Sequence, residues 1–425
     1  MRIIYSFILY LLAPLVIFRL FWLGFRNPDY RSRWTERFGL LDKTISNDKI
    51  IWLHAVSVGE VQAARPLVNG LLEEYPEFRI IITTMTPTGA DTVRQYFADT
   101  VGHFYIPYDL PVSVKRFLSI VDPTILIVME TELWPNLFHY CRANNVPVVV
   151  INARMSEKSA KGYRRLSSLT RSTLKNISLI VAQGQKDAER LIALGADREK
   201  VKISGNLKFD IHFPHSVSEQ AQALRRYLSV NRPIWIAAST HEGEEKIILD
   251  AFAKILEKQS RCLLVIAPRH PERSPGIRTL CNRRNLKVLC KTENTVCDES
   301  IQVFILDTLG ELPMYYAAAD VAFVGGSLTE NGGHNMLEPA SLGVPVIMGP
   351  YVFNFQEISQ ILIDERAAWK VSCADELSSR ICGLLDDANL RHSTGERGRN
   401  IVFKNRGNVE NVMKLLRDFF RTSVT

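Results

Sequence analysis

Short apolar runs alternate with amphipathic stretches throughout the chain, and this alternation restricts the fold more than any other feature of the sequence. The apolar runs have the length of buried strands, and the stretches between them have the spacing of helices. Strand–helix–strand units of this kind build parallel sheets that helices cover, so the sequence predicts an α/β protein. The predicted strands are Ile50–His54, Arg79–Thr83, Ile125–Glu130, Val146–Ile151, Leu179–Ala182, Ile234–Ala238, Cys262–Ala267, Lys287–Leu289, Val303–Leu306, Val321–Val324 and Val344–Met348.

The predicted strands fall into two sets, which are separated by polar and proline-containing sequence between Asp210 and Asn231. A chain of 425 residues is long enough for two domains of ordinary size. Two doubly wound domains that face each other would bind ligands at the carboxyl ends of both sheets, in the cleft between them. The predicted organisation is an N-terminal anchor over 1–26, a first domain over 27–210, a linker over 211–230, a second domain over 231–400, and a C-terminal helix over 401–425 that can pack back on the first domain.

The N-terminal segment Ile3–Phe25 is almost wholly apolar and aromatic, and a cluster of arginines follows it. As a helix it would be about 35 Å long at roughly 1.5 Å per residue. No small-residue cleavage site follows the apolar run, so we interpret it as an uncleaved membrane anchor rather than a secretory signal. The arginine flank favours a cytoplasmic location for the rest of the protein. Arg19 disfavours a central position in a bilayer, so a spanning helix, an interfacial helix and a buried core helix all stay open.

Composition indicates a globular chain with a modest preference for anionic partners. The net charge is +7, with 46% hydrophobic and 23% charged residues. The seven cysteines are scattered and form no CxxC motif, which indicates reduced thiols in the cytoplasm rather than a disulfide framework or a zinc site. No Asp-x-Asp motif occurs, so we expect no catalytic divalent metal and no cofactor. We expect helix N-termini and cationic side chains to stabilise charge instead.

The stretch Gly325–Pro350 carries the strongest single indication of a binding site. The apolar run before it ends in a glycine pair, and a second pair, Gly332-Gly333, precedes a predicted helix over Asn335–Leu342 with Glu338 in its first turn. Glycines allow a ligand to approach the backbone, and a helix N-terminus offers N–H groups to an anion. This arrangement resembles the donor-nucleotide site of GT-B glycosyltransferases, and the alternative is an ordinary strand-to-helix turn.

Three clusters in the first half also follow predicted strands. Glu60, in Trp52–Glu60, starts a helix after a strand, where it could serve as a general base or simply complement the helix dipole. The hydroxyl-rich Thr83–Gly89 could line an acceptor site or cap a helix. Glu130 and Glu132 follow a very apolar strand, and the candidate cations to pair with them are Lys208 and Arg154. A purely structural ion pair is the alternative for this last cluster.

In the second half, Arg269 follows a strand, and a guanidinium at that position suits a phosphate or a base edge. Asp307–Glu311 closes another strand and adds backbone groups to the same rim.

Together these motifs resemble the 3-deoxy-D-manno-octulosonic acid (Kdo) transferases of lipopolysaccharide synthesis. The matching stretches run from about Arg31 to Glu357, and the chain after about Ala367 matches only in general character. The motifs are HAVSVGE, TTMTPTGADTV, YIPYDLP, ETELWPN, NARMSEKS, GNLKFD, ASTHEGEE, APRHPER, GGSLTENGGHNMLEPA and FNFQEI.

The resemblance implies a GT-B fold, with two Rossmann-like domains facing across a cleft and an N-terminal membrane-anchor helix. It further implies a metal-independent, inverting transfer of Kdo from CMP-Kdo to the lipid A precursor, lipid IVA, at the cytoplasmic face of the inner membrane, without a nucleic-acid partner. The first domain would bind the acceptor and the second the CMP-sugar. A sugar-nucleotide epimerase and a non-catalytic membrane scaffold are the alternatives.

The resemblance also assigns roles to residues by motif. Glu60 is the expected general base, and Glu130 and Lys208 are expected to support the transition state. The expected CMP-binding residues are Pro268, Arg269, Leu309, Gly310, Glu311, Asn335, Met336, Leu337 and Glu338. The candidates for the acceptor side are Ser57, Gly59, Thr84, Thr86 and Arg154.

Overall fold

The structure is a computed structural model, which describes residues 1–26, 28–41, 49–214, 216–229 and 231–421. The chain divides into two compact units. The first unit contains Met1–Asp210 together with the C-terminal segment from Gly407, and the second contains Ile211–Arg406.

The first unit is built on a parallel sheet with the strand order β3-β2-β1-β4-β5-β6-β7. Its central strand β4 consists of five apolar residues that are all buried, because helices cover both faces of the sheet. The strands are β1 Lys49–His54, β2 Phe78–Thr84, β3 Gly102–Tyr105, β4 Ile125–Met129, β5 Val148–Ala153, β6 Leu179–Ala182 and β7 Val201–Ile203. The helices before the second unit are α1 Arg2–Arg26, α2 Val58–Glu74, α3 Pro87–Phe97, α4 Pro111–Val121, α5 Pro135–Ala143, α6 Glu157–Arg165, α7 Ser167–Leu174 and α8 Gln185–Ala193.

The second unit repeats this plan with the strand order β10-β11-β9-β8-β12-β13-β14. Its strands are β8 Ile234–Thr240, β9 Leu263–Pro268, β10 Val288–Cys290, β11 Val303–Ile305, β12 Val321–Val324, β13 Val346–Met348 and β14 Ala368–Lys370. Its helices are α9 Ser216–Leu228, α10 Glu244–Lys258, α11 Ser274–Asn282, α12 Leu312–Ala318, α13 Leu337–Ser341, α14 Gln356–Asp364, α15 Ala374–Asp386 and α16 Ala388–Lys404. The two parallel sheets confirm the predicted fold class.

The segment 211–230, which the sequence predicts as a linker, is mostly helical. Helix α9 occupies Ser216–Leu228, and its buried Ala221, Leu224 and Leu228 join the core of the second unit. These positions repeat at the helical period, so the helix belongs to the second unit because its apolar stripe is buried there. Residues 215 and 230 of the predicted linker lie outside the described residues.

The last helix, α17 (Asn408–Arg421), is part of the first unit. Its residues Val412, Leu416 and Phe420 lie in the same core cluster as the apolar face of α2. The buried carboxylate of Asp210 accepts hydrogen bonds from the backbone N–H groups of Gly407 and Val409, both at 2.6 Å. One side chain therefore ties the end of the first segment to the start of α17.

Helix α1 is long and apolar enough to cross a membrane by length and composition.

Candidate active site

In the first unit, two of the predicted catalytic residues flank the point where the strand order reverses. Strands β1 and β4 are neighbours, but the chain continues from β1 to β2 on one side and from β4 to β5 on the other. The loops after β1 and β4 therefore diverge and leave a crevice, which is the usual binding position in such sheets. Glu60 follows β1, and Glu130 follows β4 directly.

Glu60 is held in the first turn of α2 by its own helix start. Ser57 caps the helix, and the Glu60 carboxylate accepts hydrogen bonds from the Val56 N–H at 2.7 Å and the Ser57 hydroxyl at 3.0 Å. The side chain is largely buried, with the whole residue 7% exposed. Burial and then the negative charge of Glu130 raise the pKa of Glu60 to about 8, although both hydrogen bonds act in the opposite direction. This carboxyl group can exchange a proton near neutral pH.

Lys208, one of the two predicted cations, lies beside Glu130. Its Nζ is 3.8 Å from Glu130 Oε1, and both side chains are partly buried. The short 3-10 helix that carries Lys208 is held by Asn152, whose side chain accepts a hydrogen bond from the Leu207 N–H at 3.0 Å. Glu130 itself has a left-handed backbone with φ of 57°, which a non-glycine residue adopts only where the surroundings impose it.

The other predicted cation, Arg154, is fixed through its backbone. Its N–H donates to the Thr131 hydroxyl at 2.9 Å, and this hydroxyl donates to the Arg154 carbonyl at 2.5 Å. Glu132 accepts a hydrogen bond from the Trp134 indole at 3.1 Å, and burial raises the pKa of Glu132.

His54 lies in the same region, and sequence reasoning assigned it no role. It is fully buried at the end of β1, and its Nδ1 lies 3.0 Å from the Thr83 hydroxyl. Its ring meets Trp134 edge to face, with centroids 5.8 Å apart. Burial lowers the pKa of His54 to about 4, so the ring is neutral at physiological pH. Within the described part of the chain, its Nε2 is buried and has no hydrogen-bond partner.

The candidate acceptor-side hydroxyls have structural partners. Thr86 caps α3 by accepting a hydrogen bond from the Gly89 N–H at 3.1 Å. Thr84 is fully buried, and its hydroxyl lies 2.9 Å from His103 Nε2. Ser57 is occupied by Glu60 and by the start of α2. At Gly59, by contrast, a methyl group would approach the Ser57 hydroxyl at 3.9 Å and no other described atom outside the adjoining backbone, so this position is open.

In the second unit, the strand order reverses between β8 and β12. The backbone N–H groups of the glycine loop that follows β12 bind a carboxylate of the same chain. Glu244 is fully buried, and it accepts hydrogen bonds from the N–H groups of Gly326 at 2.7 Å, Ser327 at 3.0 Å and Leu328 at 2.8 Å. A further bond comes from the His241 N–H at 2.8 Å. The N–H groups of Gly326, Ser327 and Leu328 are therefore bound within the protein by Glu244.

Two histidines, His241 and His334, meet beside this loop. Their Nε2 atoms are 2.8 Å apart, and their ring planes are parallel within 1°. One nitrogen must carry the shared proton and the other must accept it. Burial lowers the pKa of both rings, that of His334 to about 3, so the pair is neutral at physiological pH. Gly326 allows this contact, because a methyl group there would lie 2.9 Å from a carbon of the His334 ring.

The predicted CMP-binding residues follow strands β9, β11 and β12, which end at the same edge of the sheet. Pro268 ends β9, and the Arg269 N–H donates to the Thr240 carbonyl at 3.0 Å. Leu309 is exposed and Gly310 has open space around its Cα, whereas the Glu311 carboxylate accepts a hydrogen bond from the Thr308 hydroxyl.

The helix that the sequence predicts over Asn335–Leu342 is shorter in the structure, where α13 spans Leu337–Ser341. Asn335 accounts for the late start, because its side chain accepts a hydrogen bond from the Leu337 N–H at 3.1 Å and donates one to Glu338 at 3.2 Å. Met336 and Leu337 are fully buried in this structure, backbone included.

The fold and these two sites define a class of protein. Two parallel-sheet α/β units, each with polar side chains at its point of reversal, are characteristic of GT-B glycosyltransferases. Solved structures of this architecture include the UDP-GlcNAc 2-epimerase from Neisseria meningitidis bound to UDP-GlcNAc, which covers 87% of this chain and 100% of its own with a TM-score of 0.55. A glycosyltransferase from Rickettsia africae covers 88% and 99% with a TM-score of 0.54. Both are 14% identical to this chain, so they show the fold alone.

Sequence comparison identifies the family within this class. A family model described as 3-deoxy-D-manno-octulosonic-acid transferase matches residues 32–211, and a group 1 glycosyl transferase model matches residues 234–401. The 3-deoxy-D-manno-octulosonic acid transferase of Haemophilus influenzae is 39% identical over 425 residues, which is 100% of both chains. That of Bordetella pertussis is 32% identical over 378 residues, 87% of each chain. The chain belongs to the Kdo transferase family and is a glycosyltransferase, which confirms the resemblance.

Proposed function

We propose that this enzyme transfers Kdo from CMP-Kdo to a hydroxyl group of the lipid A precursor lipid IVA, with inversion, without a metal, and with Glu60 as the general base. The proposal rests on the position and the raised pKa of Glu60. It lies in the first turn of α2, shortly after β1, and burial raises its pKa to about 8, which is near neutral pH. A base is most effective when its pKa lies near the operating pH.

In this mechanism the acceptor hydroxyl gives its proton to the Glu60 carboxylate as its oxygen bonds to the anomeric carbon of Kdo. The bond from that carbon to the CMP phosphate oxygen breaks, and its electron pair leaves with CMP. Attack on the face opposite the leaving group inverts the anomeric centre, and the transition state resembles an oxocarbenium ion. The ion pair of Glu130 and Lys208 is 3.8 Å across and supports the charge that develops on the sugar ring.

CMP-Kdo would bind to the second unit through the residues at the ends of β9, β11 and β12. Arg269 suits the phosphate because a guanidinium binds phosphate oxygens in a fork-like geometry. The exposed backbone around Leu309 and Gly310 is accessible to the nucleotide. Asn335 and Glu338, joined by a hydrogen bond of 3.2 Å, would contact hydroxyl groups.

The acceptor is an amphiphile, so we further propose that the enzyme is attached to the cytoplasmic side of the inner membrane through α1. This proposal is supported by the length and apolar composition of that helix. Arg31 follows α1 and is exposed, and it would favour a surface that contains anionic lipid.

Incubation of the purified enzyme with CMP-Kdo and lipid IVA, followed by mass analysis of the lipid, tests the proposal. We expect lipid products that are heavier by the mass of whole Kdo residues. One CMP should be released for each Kdo residue that is transferred. Release of free Kdo without a change in the lipid would contradict the proposed acceptor. A matched incubation with another CMP-activated acidic sugar tests the donor, and equal transfer from it would contradict the assignment of CMP-Kdo.

A further inference from the structure

One stripe of α1 is less exposed than the rest of the helix. The covered residues repeat every three or four positions, as one face of an α-helix does. They are buried or half-buried, and they include Ser6, Leu9, Ala13, Ile17, Leu20 and Gly24.

The first turns of α1 are bound to the first unit by polar contacts. Arg2 donates a hydrogen bond to the side chain of Asn136 at 3.0 Å, and the Ser6 hydroxyl donates to the same oxygen at 3.0 Å. Asn136 is fully buried at the start of α5, and its own N–H donates to the Asp109 carboxylate at 3.0 Å. The N-terminal end of α1 is therefore fixed to a buried polar cluster of the folded unit.

The middle and the far end of α1 are in contact with the same unit. The Tyr10 hydroxyl accepts a hydrogen bond from the Val112 N–H at 3.4 Å, at the start of α4. Near the other end, the rings of Phe21 and Trp34 lie 6.0 Å apart. From Arg2 to Phe21 the helix rises about 29 Å, at roughly 1.5 Å per residue. That length is comparable to the hydrocarbon thickness of a bilayer, about 30 Å.

The opposite side of α1 is exposed and apolar. It includes Ile3 at 78%, Phe7 at 69%, Leu11 at 70%, Phe18 at 71% and Phe25 at 76%. An apolar face of this extent on a folded unit indicates a surface that contacts a membrane or another molecule. Basic side chains lie beside it: Arg19 on the helix is exposed, and the Arg31 guanidinium lies 4.5 Å from the Phe25 ring centroid.

We propose that α1 does not cross the membrane but lies in the plane of one leaflet, with the first unit on its covered side and lipid on its exposed side. A crossing helix would carry its N-terminal end, and with it the contacts to Asn136, to the far side of the bilayer. The helix contacts the first unit at both ends, so an in-plane position retains all of these contacts. It also leaves Arg19 at the level of the headgroups, where a cation is favoured by anionic lipid. The inference deepens the proposed membrane attachment and does not depend on the identity of the sugar donor.

Cross-linking in vesicles that contain anionic phospholipid tests this position. Six of the seven native cysteines are buried and Cys373 is exposed, so the full-length Cys373→Ser chain serves as the background. The test pair is Tyr10→Cys with Val112→Cys, both at exposed positions. The control pair is Leu11→Cys with Val112→Cys, because Leu11 lies at the same depth on the lipid-facing side. The reagent is a short bifunctional maleimide, and circular dichroism of each variant verifies folding independently of activity.

We expect intramolecular cross-linking of the test pair in vesicles, and far less of the control pair. Absence of the test cross-link in a folded variant, while each single cysteine still reacts, would overturn the proposal in favour of a crossing helix. Predominant cross-links between two chains would also overturn it, because a second copy would then cover the exposed face of α1.

Discussion

The ammonium group of Lys208 lies 3.8 Å from the carboxylate of Glu130, and the same carboxylate is the main charged group that raises the pKa of Glu60. The three side chains come from distant parts of the sequence and meet at the carboxyl edge of the first sheet. Glu130 therefore influences the candidate base through its charge as well as through any contact with the sugar. The effect of this charge can be measured separately from loss of the base itself.

Removing the negative charge of Glu130 should lower the pKa of Glu60. The variant Glu130→Gln keeps the side-chain shape, so the acid limb of the pH–rate profile should move to lower pH even though the maximal rate falls. The measurement is the transfer rate as a function of pH, with Glu157→Gln on the exposed part of α6 as the control. An unshifted acid limb in Glu130→Gln would contradict the coupling of the two carboxyl groups.

The raised pKa of Glu60 also predicts how stability depends on pH. In the folded chain the pKa is about 8, against 4.5 for the ordinary carboxyl group. Between these two values the folded state holds a proton that the unfolded state has released, so the contribution of Glu60 to stability falls as the pH rises through this window. Thermal unfolding across the window should show a weaker pH dependence for Glu60→Gln than for the parent. The exposed Glu73→Gln on the same helix should leave the dependence unchanged.

Glu244 should be essential for the structure of the glycine loop. Its carboxylate binds four backbone N–H groups, from His241, Gly326, Ser327 and Leu328. Glu244→Gln replaces one acceptor oxygen by a donor, which should lower the free energy of unfolding by roughly 1–3 kcal/mol. The neighbouring Glu242 is exposed, so Glu242→Gln is the control in denaturant unfolding. Equal stability of the two variants would show that the loop does not need this carboxylate.

Gly326 should be intolerant of any side chain. Its φ of 66° costs alanine about 1–2 kcal/mol, and the added methyl group would meet the His334 ring at 2.9 Å. We therefore expect Gly326→Ala to destabilise the second unit and to weaken CMP binding, measured by calorimetry. Outside the adjoining backbone of α11, no described atom lies within 4 Å of a methyl group added at Gly276, so Gly276→Ala is the matched control. Parent-like affinity and stability in Gly326→Ala would contradict the role of the histidine contact.

The sequence predicts strands well where both faces are buried, and the strands that it misses lie at sheet edges. The all-apolar run of β4 is detected because every position is buried. The strands without a predicted counterpart are β3, β7 and β14, and each lies at an edge of its sheet. Edge strands carry exposed positions, as the burial of β7 shows, so their sequences lack a continuous apolar run.

The same distinction applies to the candidate site. Glu60 and Glu130 are predictable because each closely follows an apolar run, and parallel strands bring such positions together. The role of Glu244 is not predictable from the sequence. An acidic residue in the first turn of a helix usually indicates only a favourable interaction with the helix dipole. Its partners Gly326–Leu328 are more than 80 positions away, and only the pairing of β8 with β12 brings them close.

Single-turnover transfer by Glu60→Gln, with CMP titration of the same variant, tests the central claim most directly. The substitution keeps the shape of the side chain but removes the base, so we predict a loss in transfer rate of about 10²–10⁴-fold. CMP affinity should stay at the parent value, because the predicted CMP-binding residues belong to the second unit. Near-normal transfer by Glu60→Gln would contradict the role of Glu60 as general base.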